Sequence, residues 1–406
     1  MIRFIHTADL HFGVENYGKI DQKTGMHSRL LDFDHAFNFC IDYAIKENVD
    51  LFLFSGDAYK TAHPSPTQQR LLLRAFLKLY EAKIPVAIIV GNHDHPLSFG
   101  KAHALDLFSS LPMNGFYVFN KPKNQTITTK NGPVQVVGVP WPNRSTLMLN
   151  AGNASSSKIT QKISKEVGNL INALAQELDP NVPAILGAHL TMSSGIFSGS
   201  EKRAIYGTDP IFLPSQLAIK PFDYVALGHL HRYQLVEKNH PQIIYSGSIE
   251  RIDFGERKEE KGFCDVTIHD KSKTTHAFVK TPTRPFIQLD IHLNETENQT
   301  EQILRALKEH PIKSAILKIV YHVPQKKDDH VDLKAIQRAC ACAQYLVGIF
   351  PIKPIVTRER RTHVKLDMTM ENLLEEYFKQ KPELKERTPQ LLSKIKNMIH
   401  EMEQEE

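Results

Sequence analysis

The sequence predicts an α/β protein: a layered α/β sandwich of two sheets, followed by a second, smaller α/β unit and a C-terminal pair of amphipathic helices. Three observations predict this. Through the first two thirds of the chain, short β-rich apolar runs alternate with segments that are apolar at helical spacing. The pattern resets at Thr281-Pro282-Thr283-Arg284-Pro285 and restarts as strand, helix, strand, helix. Behind Arg358-Glu359-Arg360-Arg361 the composition shifts to helix formers carrying paired apolar residues.

Ile2 to His6, Asp50 to Ser55 and Val86 to Val90 read as buried strands, and Phe33, Ala36, Phe37, Cys40 and Ala44 form a helical stripe between the first two. Such βαβα order places helices on the faces of a sheet. Val134 to Val139, Ala184 to Gly187, Asp223 to Leu227, Ile243 to Ser246 and Phe263 to Ile268 add strands with fewer helices between them. Two sheets packed face to face close that set. Asn150 to Ser157 is a small-polar loop inside this domain. The second unit runs as strand Phe286 to Leu293, helix Thr296 to Glu309, strand Ser314 to Tyr321 and helix Leu333 to Ala343. In the tail, Leu373, Leu374, Tyr377 and Phe378, then Leu391, Leu392, Ile395 and Met398, mark two helices split by Pro382 and Pro389. The expected domains are 1–282, 283–362 and 363–406.

The composition excludes several classes. With 406 residues and 41% hydrophobic content the chain can bury several cores, so a disulfide-stapled miniature fold is out. No apolar run reaches the roughly 20 residues that span a bilayer, and Met1 to His6 reads as a strand rather than a secretion signal. No membrane attachment is expected. Four irregularly spaced cysteines fit a reducing cytoplasm, and Cys340-Ala341-Cys342 reads as two small buried residues on a helix rather than a metal site. A net charge of +5 permits a polyanionic partner without demanding one.

The 20 histidines carry the chemistry. Asp9-Leu10-His11, Gly56-Asp57, Gly91-Asn92-His93-Asp94, Gly187-Ala188-His189 and Gly228-His229-Leu230-His231 each follow a predicted strand, so their side chains converge on one rim of the sheets. Asp-x-His and His-x-His put two ligands on the same side of an extended segment. Carboxylate, imidazole and amide oxygen together suit Mn²⁺, Fe²⁺ or Zn²⁺ better than Mg²⁺. Two ions about 3.5 to 4 Å apart, bridged by one carboxylate, would use the whole set.

These motifs, in this order, resemble the calcineurin-like metallophosphoesterase superfamily. Within it, Ser246-Gly247-Ser248-Ile249-Glu250-Arg251-Ile252-Asp253-Phe254-Gly255-Glu256, followed by Glu260-Lys261-Gly262-Phe263, resembles the SbcD branch of DNA-repair nucleases. The resemblance implies two divalent ions, most suitably Mn²⁺: Asp9, His11 and His231 around one, Asn92, His189 and His229 around the other, with Asp57 bridging. It leaves His93 as the acid that protonates the leaving oxygen of a phosphodiester, with Asp94 orienting it or capping the following turn. It implies double-strand exonuclease and single-strand or hairpin endonuclease action on DNA, with the small domain capping the DNA. It also implies tail helices that bind an SbcC-like ABC-type ATPase, and a homodimer contact through the helices after Pro66 (Leu71, Leu72, Ala75, Phe76) and Pro96 (Phe99, Ala102, Leu105, Phe108). Many relatives carry a histidine three residues after the bridging aspartate, where this chain has Lys60, and that histidine is linked to exonuclease action. Lys60 and Arg251, with Arg257, Lys258, Lys261 and Arg358 to Arg361, are the candidate phosphate contacts. Two other readings stand beside this one: a small-molecule or cyclic-nucleotide phosphodiesterase of the same superfamily, and a DNA-end tether without turnover.

Overall fold

The computed structural model describes residues 1–95, 102–142, 156–199, 209–325, 327–353, 369–379, 384 and 387–404. The expected loop at Asn150 to Ser157 lies almost wholly outside them, as do Arg358 to Arg361, Pro96, Phe99 and Pro382.

The α/β sandwich is present. In chain order its elements are β1 (Ile2–Thr7), α1 (Ser28–Lys46), β2 (Leu51–Phe54), α2 (Pro66–Glu81), β3 (Val86–Ile89), α3 (Asp106–Ser110), β4 (Phe116–Phe119), β5 (Lys123–Thr129), β6 (Gly132–Val139), α4 (Ser156–Gln176), β7 (Ala184–His189), β8 (Thr191–Met192), β9 (Ile211–Phe212), α5 (Pro214–Leu217), β10 (Tyr224–Gly228), β11 (Gln234–Glu237), β12 (Gln242–Tyr245), β13 (Gly262–Asp270) and β14 (Lys273–Lys280). They form two six-stranded sheets, ordered β14-β13-β1-β2-β3-β4 and β11-β12-β10-β7-β6-β5. The interior strands β1-β2-β3 of the first sheet, and β12-β10-β7-β6 of the second, run parallel.

Alternation along each strand sorts the core into three layers. Phe4, Leu51 and Ile89 face Val136, Ile185 and Ala226 across the space between the sheets. Ile5, Phe52 and Ile88 point the other way, onto α1 and α2. Val137, Leu186 and Val225 point onto α4. Helix α1 supplies Leu30, Phe33, Phe37, Cys40 and Ala44 on one buried stripe, and α2 starts from a reciprocal Ser65–Gln68 capping box with Pro66 in its first turn. Between the sheets, His6 donates from Nε2 to the Leu227 carbonyl (3.2 Å) and accepts at Nδ1 from the Tyr224 hydroxyl (3.1 Å). Burial holds this imidazole down to about 3, so it is a neutral tie between the layers.

Beyond Pro285 follow β15 (Phe286–His292), α6 (Gln299–Lys308), β16 (Ile316–His322), α7 (Leu333–Ala339) and β17 (Tyr345–Ile352), a three-stranded parallel sheet. Its core of Leu289, Ile303, Leu317, Ile319 and Ile336 is separate from those of the sandwich. Helix α7 stops earlier than expected: Cys340 caps its end and is buried, while Cys342 lies beyond it and is exposed. The two units are bolted together. Arg284 donates from Nε to the Asp32 carboxylate (2.8 Å), and Arg29, fully buried, reaches Asp32 (2.8 Å) and the Arg251 carbonyl while lying over the Phe286 ring. Tyr17 packs edge to face on both Phe254 and Phe286 beside it, and those two rings lie tilted at 60°.

Helices α8 (Met370–Lys379) and α9 (Thr388–Gln404) pack on one another, with Phe378 buried and Tyr377 and Met398 exposed. Leu71, Leu72, Ala75, Phe76, Leu105 and Phe108, named above for a dimer contact, are all inside the chain's own core. Of the named residues that are described, only Ala102 is exposed to a second copy. No helix among the described residues is long and apolar enough to cross a membrane.

Candidate metal centre

The loops that follow β1, β2, β3, β7 and β10 meet at one rim. The loop after β1 is zipped to the loop after β2: Asp9 N–H donates to the Gly56 carbonyl (2.9 Å), and His11 N–H to that of Asp57 (3.0 Å). Asp9, His11 and Asp57 have φ of 53°, 48° and 58°, and His229 has 105°. The extended backbone expected for Asp-x-His and His-x-His is therefore absent. Left-handed turns aim these side chains instead, a conformation disfavoured for residues with a Cβ and held here by the surrounding pairing.

The expected ligands are drawn together. Ligand atoms of Asp9, His11 and His231 all lie within 4.8 Å of one another, with His11 Nε2 3.1 Å from His231 Nε2. Asn92 Oδ1 stands 2.9 Å from His189 Nε2 and 3.1 Å from His229 Nδ1. Asp57 joins the two sets, its Oδ2 3.6 Å from His11 Nε2 and 3.5 Å from His189 Nε2. Two glycines make room. Gly56 has φ +99°, and a Cβ on it would strike the His189 ring; one on Gly91 would strike Asp57 Oδ1 and the Asp57 backbone nitrogen. Gly91→Ala should therefore displace Asp57 and reduce bound metal while leaving the sandwich folded, checked by metal analysis beside circular dichroism.

The electrostatics ask for cations. Burial raises Asp9 to about 7, against the opposing pull of His189 and His231. Burial also opposes ionisation of Asp57, yet His189 and His93 hold it well below the usual carboxylate range. Conversely, burial would lower His189, but Asp57 raises it to about 9. Burial keeps His11 and His229 well below the ordinary imidazole range, so both are neutral and offer lone pairs. His11 Nδ1 is buried without a hydrogen-bond partner. Buried carboxylates short of positive charge, facing lone-pair nitrogens and an amide oxygen, fit a pair of divalent ions.

A supporting layer was invisible in the sequence. Glu256 accepts from His231 Nδ1 (2.8 Å), which leaves His231 Nε2 with its lone pair toward the centre. The other Glu256 oxygen meets Lys261 Nζ (2.9 Å), and Lys261 in turn donates to the His231 carbonyl (2.9 Å). The Ser55 carbonyl accepts from His189 Nδ1 (2.7 Å), and the Trp141 ring lies 4.8 Å from that of His229. Glu256 and Lys261 fall within the quoted 246–263 segment, but nothing in their spacing announced a partner, and Lys261, named above as a candidate phosphate contact, is instead buried against Glu256 and Glu259. Glu256→Gln should weaken metal binding roughly 10- to 100-fold, the scale for an outer-shell partner, as read by titration with Mn²⁺.

Expected roles change at Asp94 and Arg251. Among the described residues it is the Lys60 carbonyl, not Asp94, that holds the His93 ring. The buried Asp94 carboxylate accepts from the backbone N–H groups of Asp57 (2.9 Å), Tyr59 (3.1 Å) and Gly91 (3.0 Å), and so shapes the loop that presents Asp57. Lys60 presents an exposed side chain whose charge reaches His11, and its backbone carbonyl accepts from His93 Nδ1 (2.9 Å). Arg251 is turned inward, donating to Thr283 Oγ1 (2.5 Å) and to the carbonyls of Arg284 (3.3 Å) and Glu259 (2.8 Å). It ties the segment leading into the second unit to the 246–262 segment and is not a free phosphate contact.

The sequence model of the calcineurin-like phosphoesterase family matches residues 2–233. Similar solved structures include a dimetal phosphatase from Danio rerio, at 10% identity and TM-score 0.39 over 68% of this chain and 98% of that one. Another is a protein of Thermus thermophilus, at 13% identity and TM-score 0.34 over 68% of this chain and 99% of that one.

Proposed function

The chain belongs to the calcineurin-like phosphoesterase family, and from that premise we propose that it is an SbcD-type DNA nuclease that works in the cytoplasm with an SbcC-like ABC-type ATPase in DNA repair and recombination. Phosphoester hydrolysis is the activity of the family; DNA as the substrate, Mn²⁺ as the metal, a homodimer and the ATPase are this reading's own. One observation carries it. The 246–262 segment both braces a metal ligand, through Glu256 and Lys261 on His231, and fastens the second α/β unit, through Arg251 on Thr283 and Arg284. A small phosphodiester needs no platform tied to the rim; a polymer does.

When bound, the ions would supply Lewis acidity toward a phosphoryl oxygen and a water of lowered pKa. The protein's own groups do the rest. Asp9, His11 and His231 would hold one ion, Asn92, His189 and His229 the other, and Asp57 both. His93 keeps a proton on Nδ1, because the Lys60 carbonyl can only accept, so Nε2 is the atom that would hand a proton to the leaving oxygen. Its backbone N–H on Asp57 Oδ1 (2.9 Å) fixes it beside the centre.

The test is cleavage of labelled blunt-ended and hairpin DNA with Mn²⁺, beside a generic phosphodiester, with and without an SbcC-like protein. Cleavage of both DNAs is expected. Turnover of the generic ester alone would make the chain a small-molecule phosphodiesterase, and binding of DNA ends without turnover would make it a tether. A chain lacking 363–406 should still cut DNA and no longer bind the ATPase.

A further inference from the structure

We propose a second metal site, independent of the rim, on the open face of the small sheet, formed by Asp290, His292 and His322 and suited to a zinc-like divalent ion. Asp290-Ile291-His292 is another Asp-x-His, and here the backbone is extended. Residues two apart on β15 share a face, and the register of the parallel pair sets His292 directly opposite His322 on β16. Side chains opposed on neighbouring strands end at the same level. The two imidazoles stack with ring centroids 4.0 Å apart and planes 13° from parallel, and Asp290 Oδ1 is 2.7 Å from His322 Nε2. The ligand atoms of the three residues lie within 4.8 Å of one another.

Helices α6 and α7 cover the opposite face of this sheet, so the trio faces solvent: Asp290 and His292 are exposed and His322 is half-buried. Zn²⁺ bonds of about 2.0 to 2.2 Å place tetrahedral ligand atoms roughly 3.3 Å apart, so the ion can take the place of the proton shared by Asp290 and His322 after a small side-chain rotation. Two imidazoles in a set of three select a borderline ion over Mg²⁺ or Ca²⁺, and a fourth position is left to water. Strand β15 is the edge of its sheet, held on one side only by β16. An ion ligated from both strands would staple that edge.

The experiment is Zn²⁺ titration of the full-length chain against a chromophoric chelator. His322→Ala and His292→Ala should each bind one fewer Zn²⁺ per chain than the parent, with phosphodiester hydrolysis unchanged. Asp57→Asn should retain the ion that His322→Ala loses. Zn²⁺ should also raise the melting temperature of the Asp57→Asn chain and fail to do so once His322→Ala is added. Equal Zn²⁺ stoichiometry in the parent and both histidine variants would overturn the site, as would loss of the same ion in Asp57→Asn.

Discussion

Asp57→Asn should empty both halves of the rim and abolish phosphodiester hydrolysis. Asp57 Oδ2 lies 3.6 Å from His11 Nε2 and 3.5 Å from His189 Nε2, so it stands between the two ligand sets. An amide keeps the size and one oxygen of the carboxylate but removes the negative charge that two cations at close range need between them. The loss should exceed the roughly 10- to 100-fold typical of an outer-shell partner. Folding should survive. The backbone N–H groups of Asp57 and Tyr59 remain held by Asp94, and Asn, like Asp, tolerates the left-handed φ of 58°. Metal analysis by mass spectrometry, run beside an Mn²⁺-dependent hydrolysis assay, reads the result. Retention of two ions per chain with normal turnover would show that the two sets are not joined through Asp57.

The contrast between what was readable in the sequence and what was not follows the range of the forces involved. The sandwich was readable because each strand carries its own burial pattern: Leu51, Phe52, Leu53 and Phe54 are apolar on both faces, as a strand covered on both sides must be. The ligands were readable as a group, since every one follows a strand end. Their aim was not. Extended geometry fails at Asp9 and His11, where left-handed φ is enforced by pairing with the loop at Gly56 and Asp57, 46 or more residues away. Asp94 shows the same limit from the other side. Adjacency to His93 suggested a partner there, but its carboxylate turns to the backbone N–H groups of Asp57, Ala58 and Tyr59, 35 to 37 residues away, which only the folded loops bring to it. Glu256, Lys261 and the inward turn of Arg251 were hidden for the same reason: a buried charge is defined by its partner, and the partners of Arg251 lie 8 to 33 residues away.

On the proposed nuclease reading, His93→Ala should separate chemistry from binding: both ions and DNA affinity retained, with the rate lower by about 10² to 10⁴, the scale for a general acid. The contact that His93 makes to Asp57 Oδ1 runs through its backbone N–H, which alanine keeps, so the bridging carboxylate stays in place. What alanine removes is the imidazole, held by the Lys60 carbonyl at Nδ1 and standing 5.0 Å from the His11 ring at 83°. That ring also lies close enough to His11 and Asp57 for all three to offer ligand atoms within 4.8 Å, which makes ligation the competing role and gives the test its force. A ligand lost would lower metal content in step with activity, and added Mn²⁺ would restore part of the rate. An acid lost leaves the metal content unchanged, and added Mn²⁺ restores nothing. A substrate whose leaving group is a good one, such as a nitrophenyl phosphodiester, needs little protonation, so His93→Ala should slow it far less than it slows DNA. Equal slowing of both substrates, or loss of an ion, would remove His93 from the role of acid.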